Sequence, residues 1–209
     1  GGPAGLHIGL GYDDYMIEQG GFNPYEHRRF LKDYYAGNQD SSPSRGALFS
    51  VNPKTQDARI SGSLASLCGL ESSLNNKNDY QVRLSVRKIL MMQAHSFFIG
   101  GVPMLFYGDE VGYTNDYSYL NDPGRSYDNR WMHRPVIDWE KNKNIDIEGT
   151  IENRIFSSTQ RLIAIRKKLP VVADVKNLTW LTPFNIHVAG YLRTLDEQKL
   201  YCVDRKSVV

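Results

Sequence analysis

The chain has 209 residues, enough to bury a sizeable core, and its 25 Lys and Arg against 23 Asp and Glu leave a formal net charge of +2. A balance this close carries no electrostatic footprint for nucleic acid. No apolar run approaches the roughly 18 residues of a membrane-spanning helix, so no membrane partner is expected.

Residues 6–12 alternate small and apolar side chains and stop at Asp13-Asp14, which reads as a strand with an acidic tip. Asn23, Pro24 and Glu26 predict a helix start: Asn23 caps, Pro24 suits the first helical position, and Glu26 completes a capping box. Phe30, Leu31 and Tyr34 continue one face, and Gly37 marks the stop. Residues 38–63 are rich in Ser, Pro, Asn and Gly and read as loop, followed by a short helix over 63–69.

The strongest helical pattern covers 79–99, where Val82, Val86, Ile89, Leu90, Gln93 and Phe97 recur at helical spacing. Asn78 is its cap, with Gln81 three residues on, and Gly100-Gly101 ends it. Val102, Met104, Leu105 and Phe106 then read as a short buried strand that delivers Asp109 and Glu110 into a long polar loop. Strand, insertion, helix, strand is βαβ logic. A second helix carries Ile151, Ile155, Leu162, Ile165 and Leu169 on one face and is closed by Pro170. Beyond it, strands at 178–181, 187–195 and 199–203, separated by turns, read as the start of an antiparallel domain. Cys68 and Cys202 share no metal-type spacing and read as two buried free thiols. The 13 tyrosines fit either a surface that stacks on sugars or ordinary core packing.

Three stretches carry a resemblance. Tyr25-Glu26-His27-Arg28-Arg29-Phe30-Leu31 is similar to the Tyr-Asp-His-Arg-Gln-Phe-Leu run of amylosucrases. Arg45-Gly46, Asn52-Pro53 and Asp57-Ala58-Arg59-Ile60-Ser61-Gly62 follow in the same order and spacing. Asn129-Arg130-Trp131-Met132-His133-Arg134-Pro135 is similar to the family's Ser-Arg-Trp-Ala-His-Arg-Pro. The chain thus resembles the α-amylase superfamily of glycoside hydrolases, in particular its amylosucrase and sucrose hydrolase members, over about residues 12–205.

The resemblance implies an α/β fold: the C-terminal part of a (β/α)8 TIM barrel over 1–170, with an inserted loop subdomain at 15–75, then a partial C-terminal β domain at 171–209. A complete barrel of this kind needs about 250 residues, so the chain corresponds to roughly the last third of such an enzyme. Its opening, Gly1-Gly2-Pro3 with neither a methionine nor a signal-like leader, also leads us to expect a missing N-terminus. Cytoplasmic and secreted locations both stay open.

The implied activity is retaining cleavage of an α-glucoside, most of all sucrose, with glucosyl transfer to water or an α-glucan and no cofactor. By resemblance, Asp13 is the carboxylate that stabilises the transition state, and Asp14 holds the fructosyl part of sucrose. Arg28 and Arg59 fall on arginines placed over the sugar subsites, and Arg130 on one that faces sucrose. Read alone, Arg28 is an exposed helix charge and Arg59 a strand-edge residue. Tyr12 stands where the family has histidine and can donate to a sugar hydroxyl; Leu10 stands where it has arginine, which removes a charge partner from any adjacent nucleophile. The nucleophile and acid/base carboxylates, about 5 Å apart in retaining enzymes, belong to earlier barrel strands, so the chain by itself is expected to be inactive. Glu110 is read as structural. The Asn and Asp cluster at 115–122 does not fit a calcium-loop pattern and reads as a solvated loop, with no metal expected. A non-catalytic carbohydrate-binding relative and a hydrolase of other α-glucosides are the alternatives.

Overall fold

The computed structural model describes residues 8–185 and 187–205. Helices and two small antiparallel sheets alternate along the chain. In order they are β1 (Ile8–Gly9), α1 (Asp14–Gln19), α2 (Pro24–Tyr35), β2 (Ala47–Phe49), β3 (Arg59–Ser61), α3 (Leu64–Leu67), α4 (Leu70–Asn75), α5 (Asp79–Phe98), α6 (Trp139–Asn142), α7 (Ile151–Lys167), β4 (Leu178–Trp180), β5 (Val188–Leu195) and β6 (Gln198–Arg205). Short 3-10 turns punctuate the long stretch between α5 and α7. The result is a mixed α/β molecule in which, among the described residues, no barrel closes.

Capping chemistry sets the helix starts. The backbone N–H of Glu26 donates to Asn23 Oδ1 at 3.0 Å, and that of Gln81 to Asn78 Oδ1 at 3.1 Å. Thr150 Oγ1 accepts from Asn153 N at 3.1 Å and starts α7 in the same way. The Glu26 carboxylate turns outward to Arg29 at 2.5 Å. After α2 the chain turns at Gly37 with φ +74, where a Cβ would stand 2.7 Å from the Ser44 carbonyl, so the turn needs a glycine.

Three apolar clusters hold the elements together. Leu64, Ala65, Leu70, Val86, Ile89 and Ile155 join α3 and α4 to the α5–α7 pair. Phe97, Phe98, Val171, Val172 and Tyr191 seat the second sheet on the ends of the same two helices. Leu10, Ala58 and Ile60, backed by Leu31 and Tyr35, fix the first sheet to α2. In the seam between α5 and α7, Gln93 Nε2 donates to the Asp109 carbonyl at 3.2 Å, and its Oε1 faces the Thr159 hydroxyl at 2.5 Å. Two arginines gather the carbonyls at the end of α5, which have no partner inside the helix. Arg166 reaches the carbonyls of Phe97 and Gly101, and fully buried Arg193 donates from Nη1 to Ile99 O at 2.8 Å and from Nη2 to Asp174 O.

Several expectations need correction. Of the strand expected over 6–12, residues 6 and 7 lie outside the described residues and only Ile8–Gly9 pairs, antiparallel to β3. The Tyr12 N–H folds back onto the Leu10 carbonyl at 2.8 Å and ends it. The stretch 38–63, expected as loop, contains the paired strands β2 and β3, and the first sheet has the order β1-β3-β2. No strand forms over 102–107 among the described residues. Its apolar side chains face outward, with Val102 88% and Met104 68% exposed, because no neighbouring strand is present to pair with it. On α2 it is Arg28, not Phe30, that is buried; on α7, Ile165 faces solvent while Ile155 and Thr159 are buried. Helix α4 has no counterpart in the sequence reading. The C-terminal meander β4-β5-β6 forms as expected, with ends shifted by a few residues.

Candidate functional site

The residues picked out from sequence collect around the first sheet. Directly after β1 the chain makes the turn that carries Tyr12, Asp13 and Asp14, all exposed. Asp13 is the N-cap of α1: its Oδ1 accepts the Tyr15 N–H at 3.0 Å. A carboxylate suits this place, because the helix N-terminus offers unpaired N–H groups and partial positive charge. Asp14 follows in the first helical turn and forms an ion pair with Arg28.

Arg28 is the organiser of this corner. Its Nε donates to the Leu10 carbonyl at 3.1 Å, and its Nη2 to the Tyr12 carbonyl at 2.5 Å and to Asp14 Oδ1. It is 6% exposed, which corrects the reading of it as an exposed helix charge. Burial is tolerated because each N–H direction named here meets an oxygen.

Arg59 opens β3 with its side chain exposed and stands opposite Gly9 of β1 and Phe49 of β2 in the strand register. Two residues earlier, in the approach to β3, the Asp57 carboxylate lies beside Gly11, where a Cβ would sit 3.6 Å from Oδ2. Asp57 therefore borders the same turn as Tyr12 to Asp14; it opens the 57–62 run of the resemblance, which assigns it no role. The 3-10 turn Asn129–His133 packs beside this sheet, tied by Asn129 Nδ2 to the Leu48 carbonyl at 3.0 Å. That turn carries Arg130, which is exposed and forks onto Asp128: Nε to Oδ1 at 2.8 Å, Nη2 to Oδ2 at 2.7 Å. The Arg130 guanidinium holds the Asp128 carboxyl down at about 2. Trp131 lies between two further cations, 4.4 Å from Arg125 and 5.4 Å from Arg134.

Tyr12, Asp13, Asp14 and Arg28 thus form one corner of the first sheet, Arg59 stands on its middle strand, and Arg130 arrives on a turn packed beside it. Exposed acids and arginines of this kind can hydrogen-bond a polyhydroxylated ligand.

Asp109 and Glu110 do not join this group. Asp109 is buried, its carboxylate accepts the Leu64 N–H, and burial together with neighbouring Glu110 raises its carboxyl to about 7. Asn115, expected in a solvated loop, is instead a buried hub: it accepts from Ser63 N at 2.8 Å, donates to Arg45 O at 2.6 Å, and its own N–H meets Ser66 Oγ at 2.8 Å. Both cysteines are free and partly buried, and burial pushes the Cys68 thiol up to about 12. Among the described residues no three His, Cys, Asp or Glu gather as a metal site, and no helix is long and apolar enough to cross a membrane. No known protein-family model matches the chain.

Proposed function

We propose that the chain is the C-terminal part of a retaining, sucrose-cleaving enzyme of the amylosucrase group, which passes a glucosyl unit to water or to an α-glucan. The observation that carries this reading is the meeting of segments around residues 12–14, 59 and 130 on one small sheet, where the resemblance assigns sugar contacts. The exposed apolar run 102–107 gives further support, since a barrel strand without its neighbours would present such a surface. In this reading 1–170 belongs to a (β/α)8 barrel with its inserted subdomain, and 171–209 begins the C-terminal β domain.

Within it, Asp13 stabilises the glucosyl transition state. A carboxylate held in place by a helix start is pre-oriented, which is what electrostatic stabilisation requires. Asp14 and Arg59 serve the fructosyl side. Arg28 serves indirectly, by fixing Asp14 and the Tyr12 backbone.

A second reading, a carbohydrate-binding relative without activity, is favoured by Leu10. It is fully buried against Ala58 and Ile60, so no cation can stand where the family has its arginine.

The test is kcat/KM for sucrose and for an aryl α-glucoside, measured in the full-length protein that carries this chain. Arg59→Ala and Asp14→Ala should cost sucrose turnover about tenfold to hundredfold and spare the aryl substrate. Asp13→Asn should depress both. Equal slowing of both substrates by Arg59→Ala and Asp14→Ala defeats the sucrose assignment. Sugar binding without turnover of either substrate establishes the second reading.

A further inference from the structure

A separate groove of about 800 Å³ lies between α5, α7 and the β4-β5-β6 sheet, within the size range of small-molecule sites. None of the residues of the first-sheet surface lines it. One wall is a single stripe of α5, Arg87-Leu90-Met91-Ala94-His95-Phe98, whose steps of three and four residues keep it on one helix face. From Arg87 to Phe98 the stripe runs about 16 Å. Leu162 of α7 and Val203 of β6 complete an apolar floor. Trp180 and Tyr201 stand at its sheet side with 63% and 61% of their surface open.

Charge around this floor is one-sided. Arg87 and Arg161 both line the groove and are exposed, and among the described residues neither has an ion-pair partner. Against these two cations the lining has the single carboxylate of Asp204. An apolar trough with free guanidinium groups beside it complements a ligand with an apolar tail and an anionic head. A sugar fits it poorly, because Leu90, Met91 and Leu162 offer its hydroxyls no hydrogen-bond partner.

We propose that this groove binds an amphiphilic anion of the medium-chain carboxylate class, with its tail along the α5 stripe and its carboxylate on one of the two guanidinium groups at its rim, Arg87 or Arg161. The test titrates the chain with three ligands of equal tail length, decanoate, decanol and decyltrimethylammonium, below their micellar concentrations. Affinity is read by calorimetry and site occupancy by tryptophan fluorescence. Decanoate should saturate a single site and bind about tenfold or more tighter than the other two, the worth of one charge-assisted contact. The Arg87→Gln/Arg161→Gln double variant should bring decanoate down to the level of decanol; circular dichroism checks its fold. The decanoate-induced fluorescence change should vanish in Trp180→Phe. Equal affinity for the three ligands, no saturable binding, unchanged affinity in a folded double variant, or a fluorescence change that survives in Trp180→Phe each overturns the proposal.

Discussion

Arg28 Nη2 lies 2.5 Å from the carbonyl oxygen of Tyr12, sixteen residues earlier in the chain. With the Leu10 carbonyl on Nε, this bond ties α2 to the turn after β1 through the backbone, whatever the side chains in that turn happen to be. The ion pair to Asp14 adds to the same arginine, but Asp14 is largely open to water.

The two halves of this arrangement should separate on mutation. Asp14→Asn should cost less than about 1 kcal/mol, as for partly solvated ion pairs. Arg28→Lys keeps the charge but loses the planar fork, and should cost about 2 kcal/mol or more by leaving a buried carbonyl without its donor. Urea unfolding of the two variants checks this; equal losses would show that the ion pair, not the carbonyls, holds the corner.

Asp109 should make stability depend on pH in the unusual direction for a carboxylate. Its folded value of about 7 stands above the ordinary 3.8, so between those two values the folded state binds the extra proton. Stability is therefore fully present below about pH 4 and is lost as pH rises through 7. Asp109→Asn keeps an oxygen for the Leu64 N–H and removes the ionisation. The variant should gain on the wild type, by on the order of a few kcal/mol, on going from pH 4 to pH 8. Denaturation series at both pH values decide it, and a difference that does not change with pH contradicts it.

The run 102–107 should drive self-association. Val102 and Met104 expose apolar side chains on a segment that forms no strand among the described residues. Such a surface invites pairing with another chain. Sedimentation at rising concentration should show higher-order species, and Val102→Lys/Met104→Lys should shift the chain toward monomer. Association unchanged in the double lysine variant would place the contact elsewhere.

The 209 residues alone should not turn over sucrose, because the proposed mechanism draws its nucleophile and its acid/base carboxylate from residues outside them. Purified chain incubated with sucrose should release glucose and fructose no faster than a heat-killed control. Turnover above that control would require a different pair of carboxylates.

Legibility in the sequence followed the range of the signal. Helices α5 and α7 were readable because their signals are local: a long apolar period in both, with the Asn78 cap before α5 and Pro170 after α7. The β5–β6 pair was readable from alternation around a tight turn. The hairpin β2–β3 was not: each strand has three residues, and the chain between them adopts positive φ at Ser50 and Gln56, residue types that give no warning of it. The run 102–107 failed for the opposite reason. Its composition describes a buried strand, but burial depends on a partner that composition does not report. At the candidate site, Tyr12, Asp13, Asp14, Arg59 and Arg130 could be named from motif likeness, whereas the burial of Arg28 follows from carbonyls that only folding brings within reach. Asn115 owes its place to the Ser63 N–H, fifty-two residues away in the sequence.

The grip of Arg166 and Arg193 on the end of α5 has a consequence for where this protein can be divided. A chain ended at residue 170 would lose Arg193, orphan the Ile99 carbonyl and uncover Phe97 and Phe98. The boundary expected between 170 and 171 is therefore no seam for excision or grafting. A swap of the C-terminal strands between relatives would have to carry a donor for Ile99 with it, or the longest helix would fray from its far end.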